Sequence, residues 1–256
     1  MAGVSFDRAA EYYDATRGLP GEVVKELEDV LTTELATRSR CLEIGVGTGR
    51  IALPLARRGI QLIGADLAPA MLSRLTANAG GCHPFPLMTA DVAALPLRDA
   101  SVDAVLGCHV LHLIPDWQTT VDEACRVLRP GGVLLVDFGG PTPRPWSRDC
   151  VEILRRHGVS QIRPGVSNSD PVAAYLGSRG RRRALRPIHF NMDVSLADDL
   201  AEWENQILAW TWPYSSEQMR SACGEIRAAA GSRGWTIESR IRLETVLQWW
   251  AFDYPA

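Results

Sequence analysis

Lysine is almost absent. Lys25 is the only one among 256 residues, while arginine is abundant. Two chemistries fall away at once, because a dehydrogenase Tyr-x-x-x-Lys pair and a Gly-Lys-Ser/Thr phosphate loop both need lysines the chain does not have. An excess of positive charge is also missing. The formal net charge is -3, which gives no electrostatic footprint for nucleic acid. The six cysteines, Cys41, Cys82, Cys108, Cys125, Cys150 and Cys223, include no C-x-x-C, so a zinc site is not expected and no metal is called for. Cys41 and Cys108 fall in predicted buried strands, as inert thiols. No apolar run approaches the roughly 18 residues of a membrane span. The opening MAGVSFDRAAEYYD lacks the apolar core of a secretory signal, so a cytoplasmic location off the membrane is the expectation. What is present, 46% hydrophobic and 22% charged residues, suffices for one large α/β domain with an appended or inserted segment.

The chain is organised around Cys41 to Asp66. Cys41 to Ile44 reads as a buried parallel strand, and Gly45, Gly47 and Gly49 follow at alternate positions. Ile51, Leu53, Leu55 and Ala56 suit a helix. Gln61 to Ala65 is apolar again, and Asp66 ends it. Glycines allow φ > 0 and let a ligand lie against the backbone. The helix behind them offers unpaired N–H groups, and a carboxylate at the end of the second strand can accept both hydroxyls of a ribose. The spacing is not the dinucleotide fingerprint G-x-G-x-x-G. It is Glu43-x-Gly45-x-Gly47-x-Gly49, and an acid two residues before the first glycine repels a pyrophosphate but suits an ammonium group.

This arrangement resembles motif I of the class I S-adenosylmethionine-dependent methyltransferases, in their small-molecule, UbiE-like branch. The resemblance runs from about Phe6 to Phe138. The run F-D-x-x-A-x-x-Y-D is similar to the family's N-terminal cap, which implies Tyr13 and Arg17 near the methionine end of the cofactor, with Tyr12 as a rival and an ordinary amphipathic helix as the plain alternative. Asp66-Leu67-Ala68-Pro69-Ala70-Met71-Leu72 is close to D-x-S-x-x-M-L, with Ala68 in place of serine. The resemblance puts Leu67 against one face of the adenine and Met71 beside it, although packing alone accounts for Met71 as well. A-D-V-A-A-L-P-L-R-D-A-S-V-D matches another family segment almost position for position. It implies Asp91 accepting from the adenine amino group and the Val92 N–H serving a ring nitrogen; the plain reading of Asp91 is a cap. L-R-P-G-G-x-L-L-V at Leu128 to Val136 is a further hallmark, with a structural role.

Beyond these motifs the predicted elements are a helix over Val4 to Arg17 and another over Pro20 to Thr37. Helices follow at Pro69 to Ala79 and from Trp117 through Leu128. Strands are expected at His83 to Met88, Asp103 to Cys108 and Val133 to Phe138. Gly139 to Pro145 reads as a loop, and Trp146 to His157, Pro171 to Gly177, Leu196 to Trp210 and Glu217 to Ala230 as helices. Arg181 to Val194 is the expected sixth strand, and Trp235 to Phe252 supplies the last. Arg181, Arg182 and Arg183 read as a solvated strand end, with an anionic substrate as the sharper alternative.

The fold expected is a doubly wound, seven-stranded, mostly parallel sheet of the Rossmann-like class I methyltransferase type. It carries a helical cap at 1–38, a cofactor-binding core at 39–140, and substrate-side helices with the last strands at 141–256. Doubly wound sheets bind ligands outside the carboxyl ends of their strands, so Cys108, His109 and His112 fall where cofactor and acceptor meet. Only these two of the five histidines, His109 and His112, sit there. Either can serve as a base, with His109 nearer the methyl group and His112 the more structural; both can equally wall the pocket. The predicted cofactor set is Tyr13, Arg17, Glu43, Gly45, Gly47, Asp66, Leu67, Met71, Asp91, Val92, Cys108 and His109. The function is methyl transfer from S-adenosylmethionine to a small, apolar or aromatic acceptor, at oxygen or nitrogen before carbon, with no nucleic-acid or membrane partner. Trp203, Trp210, Trp212 and Tyr214 suit a lid or a core, and a homodimer is compatible with the tryptophan-rich end. The rivals are a non-methylating or regulatory protein that binds the same cofactor, an RNA or protein methyltransferase, and a nicotinamide oxidoreductase.

Overall fold

The computed structural model describes residues 5–139, 142–161 and 163–255. Nine strands form two sheets among them. The larger has seven strands in the order β3-β2-β1-β4-β5-β9-β6: β1 is Cys41–Ile44, β2 Leu62–Asp66, β3 Leu87–Thr89, β4 Val102–Cys108, β5 Leu128–Asp137, β6 Arg181–Ala184 and β9 Trp249–Asp253. The pairs β1–β2, β2–β3, β1–β4 and β4–β5 are parallel, and β9 runs antiparallel between β5 and β6. The expected seven-stranded, mostly parallel fold is therefore present.

The order follows from burial. β1, β4 and the second half of β5 are buried almost throughout, which demands cover on both faces. Leu42, Val105, Leu106, Leu134 and Leu135 are all essentially inaccessible. Helices connect the parallel strands: α3 (Ala52–Arg57), α4 (Pro69–Asn78) and α5 (Trp117–Val127). Proline at the first position of α4 has no N–H to waste. Before β1 stands α2 (Gly21–Leu35), which buries Val23, Leu27, Leu31 and Leu35 at helical spacing.

Several predicted elements are corrected. The start of the first expected helix, at Val4, lies outside the described residues. Its remainder is a single turn at Asp7–Ala9 and a short α1 at Tyr13–Thr16, with the Phe6 and Tyr13 rings edge-on at 6.1 Å. Arg181 to Val194 is not one strand. Pro187 interrupts it, so β6 joins the large sheet, whereas β7 (Ile188–Val194) pairs with β8 (Ile241–Leu247) in a separate two-stranded sheet. Trp235 to Phe252 likewise divides at Gln248, whose amide is bonded to the Leu185 and Trp249 carbonyls. The helix begun at Leu196 stops at Glu204 rather than Trp210. Gln206 takes φ +52°, and its side chain donates to the Thr211 and Tyr214 carbonyls instead. The three arginines of β6 hold no free anion site. Arg183 is paired with Glu34 and with Asp253 at 3.0 Å, Arg182 with Asp170 while stacked over Trp250, and Arg181 lies 3.7 Å from Asp253.

The chain divides into two compact units. The first comprises Met1–Gly140, Pro164–Ile188 and Leu247–Ala256 and contains the large sheet, α1 to α5 and α7 (Ser169–Leu176). The second comprises Pro141–Arg163 and His189–Val246. It has its own core, in which α6 (Ser147–Arg156), α8 (Leu196–Glu204) and α9 (Ser216–Ala230) enclose Ile153, Leu200, Met219, Cys223 and Ile226. Trp203 belongs to that core, with Trp210 edge-on to it at 5.7 Å, as the packing alternative anticipated. No helix among the described residues is long and apolar enough to cross a membrane.

Leu106 lies at the centre of the large sheet, registered between Glu43 and Leu135 and fully buried. Leu106→Ala is expected to lower stability by about 3 kcal/mol through lost transfer energy and a residual cavity. Urea unfolding checks this, and an unchanged midpoint would contradict the assigned core.

Candidate functional site

The register of the parallel strands brings three polar residues and the glycine loop to one edge of the sheet. Ile44 pairs with Ala65 and with Gly107, and Cys108 pairs with Asp137. The glycine loop, Asp66, Cys108 and Asp137 therefore leave the sheet together at its carboxyl edge. Gly45, Gly47 and Gly49 take φ of +64°, +54° and +84°, a region costly for any residue with a Cβ. Space is the second constraint. A Cβ on Gly45 would come within 2.8 Å of Val110 Cγ2, and one on Gly49 within 2.7 Å of Leu53 Cγ. Val110 also lies against Gly107, so the missing side chains let the β4 exit close onto the loop.

Asp66 holds the loop. Its Oδ2 accepts the Gly47 N–H at 2.8 Å and its Oδ1 the Ala68 N–H at 2.9 Å. A carboxylate offers about four acceptor positions, so both oxygens keep capacity for ligand hydroxyls while the group is fixed in orientation. Burial raises the Asp66 pKa, and the two N–H bonds oppose that rise. Leu67 is half-buried after it, and Met71 is buried, with its Cε 3.4 Å from where a Gly47 Cβ would stand.

Glu43 is the unusual member. It is 2% exposed at the penultimate position of β1, and its Oε2 has no hydrogen-bond partner. Burial pushes its pKa up to about 8; Arg50 works against the shift and Asp66 adds to it. An unpaired buried acceptor costs on the order of 1–3 kcal/mol. Such a group is suited to a ligand that brings its own cation.

The N-terminal segment is tied onto this loop. Asp14 accepts from the Thr48 hydroxyl and, at 2.9 Å, from Asn78 Nδ2; Asp7 accepts the Ala70 N–H, also at 2.9 Å. Tyr13 is half-buried, its desolvation raises its pKa, and it stands in the field of Arg50, Cys108, Arg17 and Asp66. The Arg17 carbonyl accepts from Arg50 Nη1 at 2.7 Å. Tyr12, the rival, has a buried hydroxyl without a partner. The predicted residues Tyr13, Arg17, Glu43, Gly45, Gly47, Asp66 and Cys108 thus share one neighbourhood. Asp91 is different: it is exposed, and its Oδ1 accepts the Ala93 N–H at 2.9 Å in a turn that no helix follows, so it is not the helix cap of the plain reading, while Val92 is packed in the core of the large sheet.

At the β4 and β5 ends, His109 has φ +53° and its Nε2 lies 2.8 Å from Asp137 Oδ2. Asp137 is buried. Burial alone would raise its pKa, but the His109 bond and charge, the Gly139 N–H and Arg50 outweigh that and hold it low. Cys108 is pushed well above the usual thiol range by burial. Its Sγ lies 3.5 Å from Arg50 Nη2 and 3.8 Å from Asp137 Oδ2. The His112 ring is 6.2 Å from that of His109. Cys108, His109 and Asp137 each place a donor atom within 4.8 Å of the others, but the Arg50 guanidinium beside the thiol opposes a second cation there.

The family model described as a methyltransferase domain matches residues 42–136. The demethylmenaquinone methyltransferase of Streptomyces avermitilis is 30% identical over 187 residues, spanning 71% of this chain and 79% of that protein. The chain belongs to the S-adenosylmethionine-dependent methyltransferases. The malonyl-[acyl-carrier protein] O-methyltransferase of Methylococcus capsulatus is 34% identical over 143 residues; the match takes in 55% of this methyltransferase and about half, 52%, of the relative's length. An N-methyltransferase from Haemonchus contortus, solved with S-adenosylhomocysteine, shares the fold at TM-score 0.56 and 17% identity, over 98% of this chain and 58% of its own.

Sequence reasoning passed over Arg50, Asp14 and Asp137 in this methyltransferase. Arg50 directly follows the last loop glycine, so its position beside the motif was the available signal. Asp14 closes the F-D-x-x-A-x-x-Y-D run, which was its signal; Asp137 carries none, because its side-chain partner His109 is 28 residues away and meets it only through the sheet order.

Glu43 gives a stability prediction with a definite sign. Between about 4.5 and about 8 the folded methyltransferase retains a proton that the unfolded chain has lost. Stability therefore falls as pH rises through that window. Glu43→Gln is neutral at every pH and removes this fall. Urea unfolding of the ligand-free protein should show the variant gaining on the wild type by a few kcal/mol between about pH 5 and about pH 9. A gap independent of pH would show that Glu43 is not buried as described.

Proposed function

We propose that the chain transfers a methyl group from S-adenosylmethionine to a small, apolar or aromatic organic acceptor, at oxygen or nitrogen. The observation that carries this reading is the buried Glu43 carboxyl with an unpartnered oxygen beside the glycine loop, which fits the ammonium of the cofactor's methionine part. When bound, the cofactor supplies a methyl group on a sulfonium, so the acceptor's lone pair forms the new bond to carbon as the carbon–sulfur pair is left on sulfur.

The chain's own residues bind and orient. Glu43 accepts the ammonium, and Gly45 and Gly47 admit the ligand to the backbone. Tyr13, Arg17 and Arg50 surround the methionine end, where the two guanidinium groups answer a carboxylate. Asp66 accepts the ribose hydroxyls, Leu67 and Met71 flank the adenine, and Asp91 with the Val92 N–H reads its edge. Asp91 must leave the Ala93 N–H or use its second oxygen to do so. Cys108 and His109 stand at the methyl group, His109 takes the acceptor's proton, and His112 supports the turn. Positioning of this kind accounts for most of the rate in a displacement on an already activated donor, and no metal is needed. A cytoplasmic setting and a homodimer belong to the same reading.

The test is incubation of the purified protein with methyl-labelled S-adenosylmethionine and a panel of phenols, amines and carboxylates, with and without EDTA. Label is expected on oxygen or nitrogen of at least one class, and EDTA should leave the rate unchanged. Tight binding of S-adenosylhomocysteine with no transfer to any class would favour the non-methylating alternative. Binding of a nicotinamide cofactor instead would contradict the reading.

A further inference from the structure

β4 and β5 leave the large sheet side by side, and each does so through a left-handed backbone. His109 directly follows β4 with φ +53°, and Gly139 stands two residues after β5 with φ +59°. The His109 N–H still donates to the Asp137 carbonyl at 3.0 Å, so the ladder outlasts the strand by one residue. The imidazole then turns back on the same residue, with Nε2 at 2.8 Å from Oδ2, while the Gly139 N–H occupies Oδ1 at 2.9 Å. The ring lies flat against Gly139: a Cβ there would meet its Nε2, Cδ2 and Cε1 at 2.9, 3.0 and 3.1 Å. A non-glycine residue in the left-handed region costs on the order of 1–3 kcal/mol and persists only where its surroundings impose it. Here the surroundings are an acid and a glycine on the neighbouring strand.

These contacts select the tautomer. An ionised carboxylate only accepts, so Nε2 must carry the hydrogen and the neutral ring keeps its lone pair on Nδ1. The His112 ring of the following turn lies 6.2 Å from the imidazole, and the neighbouring Cys108 thiol, 3.5 Å from Arg50 Nη2, stands in the field of Glu43 and Tyr13.

We propose that Asp137 and Gly139 are positioning residues that lock His109 with its proton on Nε2, so that Nδ1 serves an acceptor that must lose a proton to react, a phenolic or enolic hydroxyl, and not a carboxylate. This rests on the reading of His109 as the base. In the step, the acceptor's O–H bond breaks with its pair left on oxygen, and the proton passes to Nδ1. An oxygen pair forms the bond to the methyl carbon, the pair of the broken carbon–sulfur bond stays on sulfur, and the imidazolium later returns its proton to water. A carboxylate arrives without that proton and gains nothing from the pair.

The first arm of the test needs neither cofactor nor acceptor. Histidine-15N-labelled full-length protein is examined by long-range proton–nitrogen NMR at about pH 8, with His109→Gln assigning the signal. His109 is expected as the Nε2–H tautomer in the wild type and as a mixture in Asp137→Asn and Gly139→Ala. An Nδ1–H tautomer in the wild type overturns the proposal, and because this arm uses the wild type it decides even where a variant fails to fold. The second arm compares labelled methyl transfer to a phenol and to a carboxylate. Asp137→Asn should lower kcat for the phenol roughly 100-fold, leave KM for S-adenosylmethionine unchanged, and leave the carboxylate rate alone; Asp137→Glu should recover part of the loss. An equal fall for both acceptors would mean a merely structural role and overturn the proposal. If His109→Gln retains full phenol activity while the wild type shows Nε2–H, the base reading fails although the tautomer lock stands. Activity abolished by EDTA and restored by zinc would make these side chains metal ligands and overturn it as well.

Discussion

A carboxyl group that the fold buries without giving it a donor is the constraint on which this site turns. Glu43 is on the innermost parallel strand, between β2 and β4, and is only 2% exposed. A soluble domain keeps such a group only where something repays it. Arg50 does so in part, with positive charge from the loop, whereas Asp66 on the next strand adds negative charge that works against it. The result is a pocket edge with an acid able to receive a cation and an arginine able to receive an anion, a few side chains apart. That is the charge pattern of a zwitterion.

The rest of the edge follows from backbone geometry. Three glycines with positive φ carry the chain around the end of β1, and the space they leave is taken by Val110 and Leu53. Asp66 fastens the loop through the Gly47 N–H, and Asp14 fastens the N-terminal segment to Thr48 at the loop's far side. Each tie joins residues distant in the chain and close in space. A side chain on any of the three glycines would disturb the loop before it touched a ligand.

How much of this could be read beforehand depends on the range of the forces involved. The stretch from Cys41 to Asp66 was legible because strand, turn and helix are set by residues within a few positions of one another. The same holds for α4, with its N-terminal proline, and for the apolar runs at the middle of β4 and in the second half of β5. The cluster of Tyr13, Arg17, Glu43, Asp66 and Cys108 was anticipated by motif resemblance, and the fold does bring these residues together. Arg181 to Val194 was misread because one proline outweighed a long alternating pattern, and Leu196 to Trp210 because Gln206 satisfies the chain's carbonyls better outside a helix. The arginines of β6, read as a solvated strand end, are paired with Glu34, Asp170 and Asp253 from other elements, which their own neighbours in the chain could not show. The cradle of His109 was invisible for the same reason: Asp137 and Gly139 reach the imidazole only once β5 has docked beside β4.

The central claim is that Glu43 is held protonated in wait for a cation. It is tested most directly by titrating the purified protein with S-adenosylhomocysteine in a calorimeter, at about pH 6.5, in buffers of different ionisation enthalpy. The account predicts that binding releases close to one proton per ligand in the wild type, as the Glu43 carboxyl ionises opposite the ammonium, and that Glu43→Gln binds far more weakly with that release abolished. Tight binding by Glu43→Gln, or tight wild-type binding with no proton released, would contradict it.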